Sequence, residues 1–134
     1  MSKKRVLVFG TFDILHPGHI DFLRQAKRYG DFLIVSLARE KNVKRVKGQK
    51  PFHSETDRKK LLESLKFVDK VVMGSKDNYL GHIKSLKPDV IVLGYDQKAY
   101  TKDLKAKLAG LGLSPRIVRA QSYKSKIYRS RNYR

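Results

Sequence analysis

Two histidines, His16 and His19, are separated only by Pro17 and Gly18 and follow closely on the run Gly10-Thr11-Phe12-Asp13. Just upstream, Val6-Leu7-Val8-Phe9 is a continuous apolar stretch, as expected of a parallel strand covered on both faces. Pro17 suits the first turn of a helix. Ile20, Leu23 and Ala26 then recur at helical spacing, and Gly30 closes the segment. The histidines therefore flank the start of a helix that follows a buried strand. Free N–H groups and the positive end of the helix dipole favour a phosphate at such a place. Gly18 has no side chain to hold a ligand away from the backbone, and both imidazoles can donate to phosphate oxygens. Two fixed donors and a helix end suit a phosphoryl group that gains charge in a transition state. A zinc site is the weaker reading, because only Asp13 and Asp21 lie nearby and neither completes a ligand set with the histidine pair. The turn is not G-x-G-x-x-G, so a dinucleotide cofactor is not indicated.

The elements that must position this turn alternate in type. Phe32 to Ala38 reads as a second strand, and Arg39 to Pro51 as a polar, basic loop. Ser54-Glu55-Thr56-Asp57 reads as a helix N-cap region with early acids, with Leu61, Leu62 and Leu65 as the buried stripe. Val71 to Met73 is a third strand, Tyr79 to Leu86 a helix that stops before Lys87-Pro88, and Val90 to Leu93 a fourth strand. Thr101 to Ala109 is helical up to Gly110, and Ile117-Val118 is a short fifth strand. This order predicts an α/β fold: a Rossmann-like, doubly wound, five-stranded and mostly parallel sheet flanked by helices. In such a sheet ligands bind beyond the carboxyl ends of the strands. Gly10 to His19 should line that crevice.

The chain has 134 residues, which fits a single domain over residues 1–134 with a basic C-terminal segment at 122–134. It has no apolar run of transmembrane length, no signal-peptide pattern and no cysteine. The expectation is a cytoplasmic protein without disulfides or thiolate metal sites. A formal net charge of +19 implies an anionic partner: nucleic acid, a membrane surface or a phosphorylated small molecule.

Gly10-Thr11-Phe12-Asp13 followed by His16-Pro17-Gly18-His19 resembles the H-x-G-H signature of the cytidylyltransferase-like nucleotidyltransferases. The resemblance continues in order along the chain. Lys44, Lys47 and Lys50 fall in the segment where that family places a phosphate-binding lysine. Arg58 falls in a segment resembling the family's HS-x-x-x-R. Leu93-Gly94-Tyr95-Asp96-Gln97 ends the fourth strand, where family members hold base and ribose. Ser122 to Ile127 resembles the terminal S/T-S/T-x-I segment that meets the β- and γ-phosphates.

The resemblance implies transfer of a nucleotidyl group to a phosphorylated acceptor with release of pyrophosphate, a divalent cation such as Mg²⁺ on the triphosphate, and a homodimer. It assigns His16 and His19 to the α- and β-phosphates, Lys47 to the α-phosphate, and Ser125 to the outgoing pyrophosphate, with Lys124 and Arg119 beside it. Gly10, Thr11, Phe12, Pro17, Gly18, Asp96 and Tyr123 complete the nucleotide contacts. Asp13, Lys44 and Arg58 are candidates for phosphate or acceptor.

Within the family the GTFDILHPGH opening, the K-x-x-K-G-x-K-P segment and L-G-Y-D-Q are most similar to archaeal-type FAD synthases, which implies ATP and FMN as substrates. Phe52, His53, Tyr79 and Tyr100 could stack on the flavin ring. Glycerol-3-phosphate cytidylyltransferases and heptose-phosphate adenylyltransferases are the alternatives. The former usually end closer to R-T-E-G-I-S-T-T, where this chain has Arg119-Ala120-Gln121-Ser122-Tyr123-Lys124-Ser125. A nucleic-acid-binding protein is the rival from another class. The positive charge is spread along the chain, however, and no RRM, KH or helix-turn-helix signature occurs.

Overall fold

The computed structural model describes residues 3–47, 51–75, 77–94 and 103–121. Five strands, β1 (Arg5–Gly10), β2 (Phe32–Leu37), β3 (Lys70–Met73), β4 (Val90–Leu93) and β5 (Arg116–Arg119), form one sheet in the order β3-β2-β1-β4-β5. Every pairing is parallel. The strand order reverses between β1 and β4, so the chain has the doubly wound arrangement and its crevice lies at the end of β1.

The alternation of side chains along each strand builds two cores. Val6 and Val8 of β1 point to one face with Leu33, Val35 and Leu37 of β2. Helices α1 (Pro17–Lys27) and α3 (Glu55–Glu63) cover that face with Leu23, Ala26 and Leu62. Leu7, Ile34, Ile91 and Leu93 point to the other face. There α4 (Tyr79–Leu86) contributes Ile83 and Leu86, and α5 (Leu104–Ala109) contributes Leu104 and Leu108. A strand buried on both sides needs this continuous apolar run, which is why β1 and β4 carry no polar residue inside.

Three aspartates, Asp31, Asp69 and Asp89, stand one residue before β2, β3 and β4. Each closes a pairing at its amino-terminal end. The Asp31 carboxylate accepts from Lys4 N at 3.0 Å, that of Asp69 from Leu33 N at 2.7 Å, and that of Asp89 from Arg5 N at 2.8 Å. In return each aspartate's own N–H donates to the carbonyl of the same partner residue. Asp69 also pairs with Lys27 of α1.

Two sequence expectations change. Residues 40–47 are not loop but a helix, α2 (Glu40–Lys47). Its sequence has few apolar residues, yet Val43 is buried and the Glu55 carboxylate accepts from the first N–H of the helix, Glu40 N, at 2.6 Å. The Glu55 carboxylate thus caps the start of a helix whose sparse apolar residues hide it in the sequence. In α3, Leu61 is 43% exposed and lies off the buried stripe. Adjacent helical residues point about 100° apart, so Leu61 and Leu62 cannot both face inward. The inward positions are Leu62 and, one turn earlier, Arg58.

Asp69→Ala should lower stability by about 1–3 kcal/mol, because Leu33 N loses its acceptor and Lys27 its partner. Urea denaturation with an unchanged m-value is the check; a shift near zero would mean that water replaces the carboxylate without loss.

Candidate active site

β1 ends in Gly10, and the next residues turn sharply. Phe12 has φ +47°, in the left-handed region that a bulky residue seldom adopts. Its ring folds back over the strand end, and a Cβ at Gly10 would lie 2.5 Å from Phe12 Cε2. Gly10 is therefore the residue that lets the ring sit there. Phe12 is buried and meets His19 edge to face, with centroids 5.3 Å apart.

His16 is the N-cap of α1. Its Nδ1 accepts from Gly18 N at 3.1 Å, and Pro17 occupies the first helical turn. The cap leaves the proton of neutral His16 on Nε2, the donor it can offer a ligand. Burial lowers the His16 pKa and so favours the neutral ring. The His16 and His19 rings stack with centroids 3.9 Å apart and planes 23° apart. The strand end, the Phe12 ring and the cap together hold both imidazoles at the first turn of α1.

Beneath this turn lies Arg58, fully buried. Its Nη1 donates to Thr11 O at 3.0 Å and to Ala38 O at 2.8 Å, and its Nε donates to His53 O at 3.2 Å. Asp13, 1% exposed, accepts from Phe52 N at 2.6 Å and His53 N at 2.7 Å. One cation and one anion thus lace together the turn after β1, the end of β2 and the segment before α3. Both residues are candidates for phosphate or acceptor on sequence grounds. Burial and these bonds fix both side chains in the framework under the turn.

The remaining candidates spread around the carboxyl edge of the sheet. Lys44 is exposed on α2, and Lys47 ends the same helix with its side chain outside the described residues. Arg119 ends β5 and donates from Nη1 to Gly94 O at 2.8 Å, beside the end of β4. Phe52 is 74% exposed beside His53, whereas Tyr79 packs partly into the second core. Lys50, Asp96, Tyr100, Tyr123, Lys124 and Ser125 lie outside the described residues. The structure therefore brings together Gly10, Thr11, Phe12, Asp13, His16, Pro17, Gly18 and His19 in one turn, with Arg58 under it.

A second polar pair escaped the sequence reading. Ser36, buried on β2, lies 2.9 Å from His82 Nε2 on α4. Burial, with Arg39 nearby, lowers the His82 pKa. Neither residue sits in a recognisable motif, so only the fold could pair them.

The profile of the cytidylyltransferase-like family matches residues 7–133. The chain belongs to that family, whose reaction is nucleotidyl transfer. Among curated proteins it is 44% identical over 119 residues to an FAD synthase from Aciduliprofundum boonei, spanning 89% of this chain and 79% of that protein. Among solved structures it superposes with a TM-score of 0.87, at 39% identity, on a lipopolysaccharide core biosynthesis protein from Thermoplasma volcanium, covering 92% of this chain and all of the other. A protein of unknown function from Archaeoglobus fulgidus shares the fold, with a TM-score of 0.72 at 17% identity.

The depressed His16 pKa gives a pH signature. The unfolded ring takes up a proton near pH 6.5, before the folded one does. The stability contributed by neutral His16 is therefore complete above that pH and falls as the solution is acidified through it. His16→Asn keeps a capping acceptor without the titration. Its stability should fall less than wild type between pH 7 and pH 5 in denaturant titrations, with His82 supplying the remaining slope. Identical slopes in both proteins would mean that burial in the folded chain does not lower the His16 pKa.

Proposed function

We propose that this chain transfers AMP from ATP to FMN, giving FAD and pyrophosphate. The observation that carries the reading is the His16–His19 pair, stacked and fixed at the start of α1 with His16 Nδ1 committed to the helix cap. The 44% identity to a protein named FAD synthase supports the choice of substrates.

In this reading an oxygen of the FMN phosphate attacks the α-phosphorus of ATP in line. The new bond to the α-phosphorus forms as the bond to the bridging oxygen breaks, and that oxygen leaves with pyrophosphate. The attacking phosphate is already ionised at neutral pH, so the step needs no general base. What it needs is positioning and neutralisation of charge. His16, His19 and the N–H groups of the first turn of α1 meet the α- and β-phosphates. Lys47 adds positive charge at the α-phosphate, with Lys44 one helical turn away on the same face of α2. Ser125, Lys124 and Arg119 receive the pyrophosphate. Asp96 and Tyr123 hold the ribose and adenine.

A divalent cation, Mg²⁺ by chemistry, would ride on the triphosphate oxygens and neutralise their charge. Among the described residues no group of three or more His, Cys, Asp or Glu is placed to hold an ion. Both Asp13 oxygens meet backbone N–H groups instead. A cation carried by the nucleotide is compatible with that, since Mg²⁺ keeps several waters and needs few protein ligands. Among the described residues no helix is long and apolar enough to cross a membrane, and the net charge of +19 favours phosphorylated substrates.

The test is a matrix of ATP or CTP against FMN, glycerol 3-phosphate or a heptose 1-phosphate with Mg²⁺, reading pyrophosphate and separating products by chromatography. Release only with ATP and FMN, with FAD formed, is the expected result. Release with CTP and glycerol 3-phosphate would overturn the substrates and keep the reaction type. His16→Asn, which preserves the cap, should lower kcat by roughly 10²-fold or more with a nearly unchanged melting temperature. Full turnover in that variant would remove His16 from the chemistry.

A further inference from the structure

Arg39 is the second residue beyond β2, at the carboxyl edge of the sheet. The chain is fixed on both sides of it. Ala38 N donates to Gly10 O at 2.9 Å, which ties this exit to the end of β1. Ala38 O accepts from Arg58 Nη1, and Arg39 O accepts from Val43 N at 3.0 Å as α2 begins. The side chain is anchored as well. Its Nε donates to Gly74 O at 2.6 Å, one residue past β3, while Gly74 N donates to Leu37 O at 2.7 Å. A Cβ at Gly74 would lie 3.2 Å from Leu37 O, so glycine permits this close join between two strand ends.

The anchor uses one of the three guanidinium nitrogens. Among the described residues Nη1 and Nη2 make no hydrogen bond, and no carboxylate pairs with Arg39. His82 of α4 stands near and is no counter-ion. Its Nε2 lies 2.9 Å from Ser36 Oγ, and burial together with the charge of Arg39 lowers its pKa. A half-buried cation, held by one edge and without an anion of its own, suits a ligand that brings one.

We infer that Arg39 binds the phosphate monoester of the acceptor. The inference deepens the proposed function and rests on it. In that reading the pyrophosphate and the α-phosphate have their donors, and Asp13 and Arg58 are committed to the framework. The acceptor's phosphate is left without a cation. β2 neighbours β1 at about 4.8 Å, on the side away from β4, where base and ribose are assigned. An acceptor arriving over the ends of β2 and β3 therefore reaches the α-phosphate without crossing the nucleoside. Two oxygens of the monoester take the Nη fork, and the third stays open for attack on the α-phosphorus. The cation also offsets the repulsion between two phosphates brought into contact.

The test compares FMN with riboflavin, which lacks the phosphate. Quenching of flavin fluorescence by the full chain reads both affinities. Wild type should hold FMN more tightly than riboflavin. Arg39→Gln should bind FMN roughly tenfold or more weakly, the scale of a lost charge-assisted contact, and riboflavin within about twofold of wild type. In turnover the KM for FMN should rise by a similar factor while the KM for ATP stays within about twofold. Arg39→Lys, which keeps the charge without the fork, should fall between the two.

Unchanged FMN affinity in Arg39→Gln would overturn the inference. So would an equal loss of FMN and riboflavin, or equal rises in both KM values, which would report a loosened join between β2 and β3. If the wild-type chain converts glycerol 3-phosphate or a heptose 1-phosphate and leaves FMN untouched, the flavin reading fails alone. Each of those acceptors is also a phosphate monoester, so its KM in Arg39→Gln then decides the role of Arg39. No turnover of any phosphorylated acceptor would overturn both.

Discussion

The fully buried guanidinium of Arg58 holds the site in place. Three backbone carbonyls, from Thr11, Ala38 and His53, converge on it, and they come from three separate connections at the carboxyl edge of the sheet. A buried charge is costly unless satisfied. Here the cation meets carbonyl oxygens that would themselves be poorly solvated so close to the core. Glu55 and Glu40 lie near enough to favour the charge that burial opposes. The arrangement acts together with Asp13, whose carboxylate takes the N–H groups of Phe52 and His53. The loops around the turn after β1 behave as one laced unit, and the strained φ of Phe12 persists because that unit over-determines it.

The histidines inherit their chemistry from this support. His16 is at once a helix cap and a phosphate donor, and the two duties agree. Accepting from Gly18 N commits Nδ1 and places the proton of the neutral ring on Nε2, and burial favours that neutral form. A neutral imidazole donates to phosphate without becoming its proton source. The stacked His19 ring, with Phe12 at its edge, presents a second donor in a fixed relation to the first. Preorganisation of this kind lowers a barrier without reorganisation during the reaction.

Much of the architecture was legible in the sequence because parallel strands buried on both faces announce themselves as apolar runs. Val6 to Phe9 and Val90 to Leu93 did so, and Pro17, Ser54 and Lys87-Pro88 marked helix ends correctly. Helix α2 was not legible, since it has few apolar residues to mark a buried stripe and its first N–H is capped by a carboxylate from α3. Arg58 was visible as an important residue but not as an inward one. An arginine on the buried stripe of a helix makes sense only when carbonyls from distant segments converge on it. Gln25, whose side-chain amide takes both the N–H and the carbonyl of Gln121, gave no signal, because that partner lies 96 residues away in the chain. What sequence reasoning reads well is periodicity; what it misses is a side chain standing in for backbone.

The aspartates that precede β2, β3 and β4 bear on how the chain finds its pairings during folding. In a parallel sheet covered on both sides, a slip of two residues keeps every side chain on its proper face, so alternation alone does not penalise it. Each aspartate matches the N–H and carbonyl of one particular residue in or just before the neighbouring strand, and a slipped strand offers it the wrong one. The three carboxylates therefore act as alignment keys at the start of each pairing. All of these pairings join residues far apart in the chain, where closing the loop is slow. Keys at the strand starts make the correct register stable from its first contact, and the zipping that follows ends with the carboxyl edge level enough to carry a site.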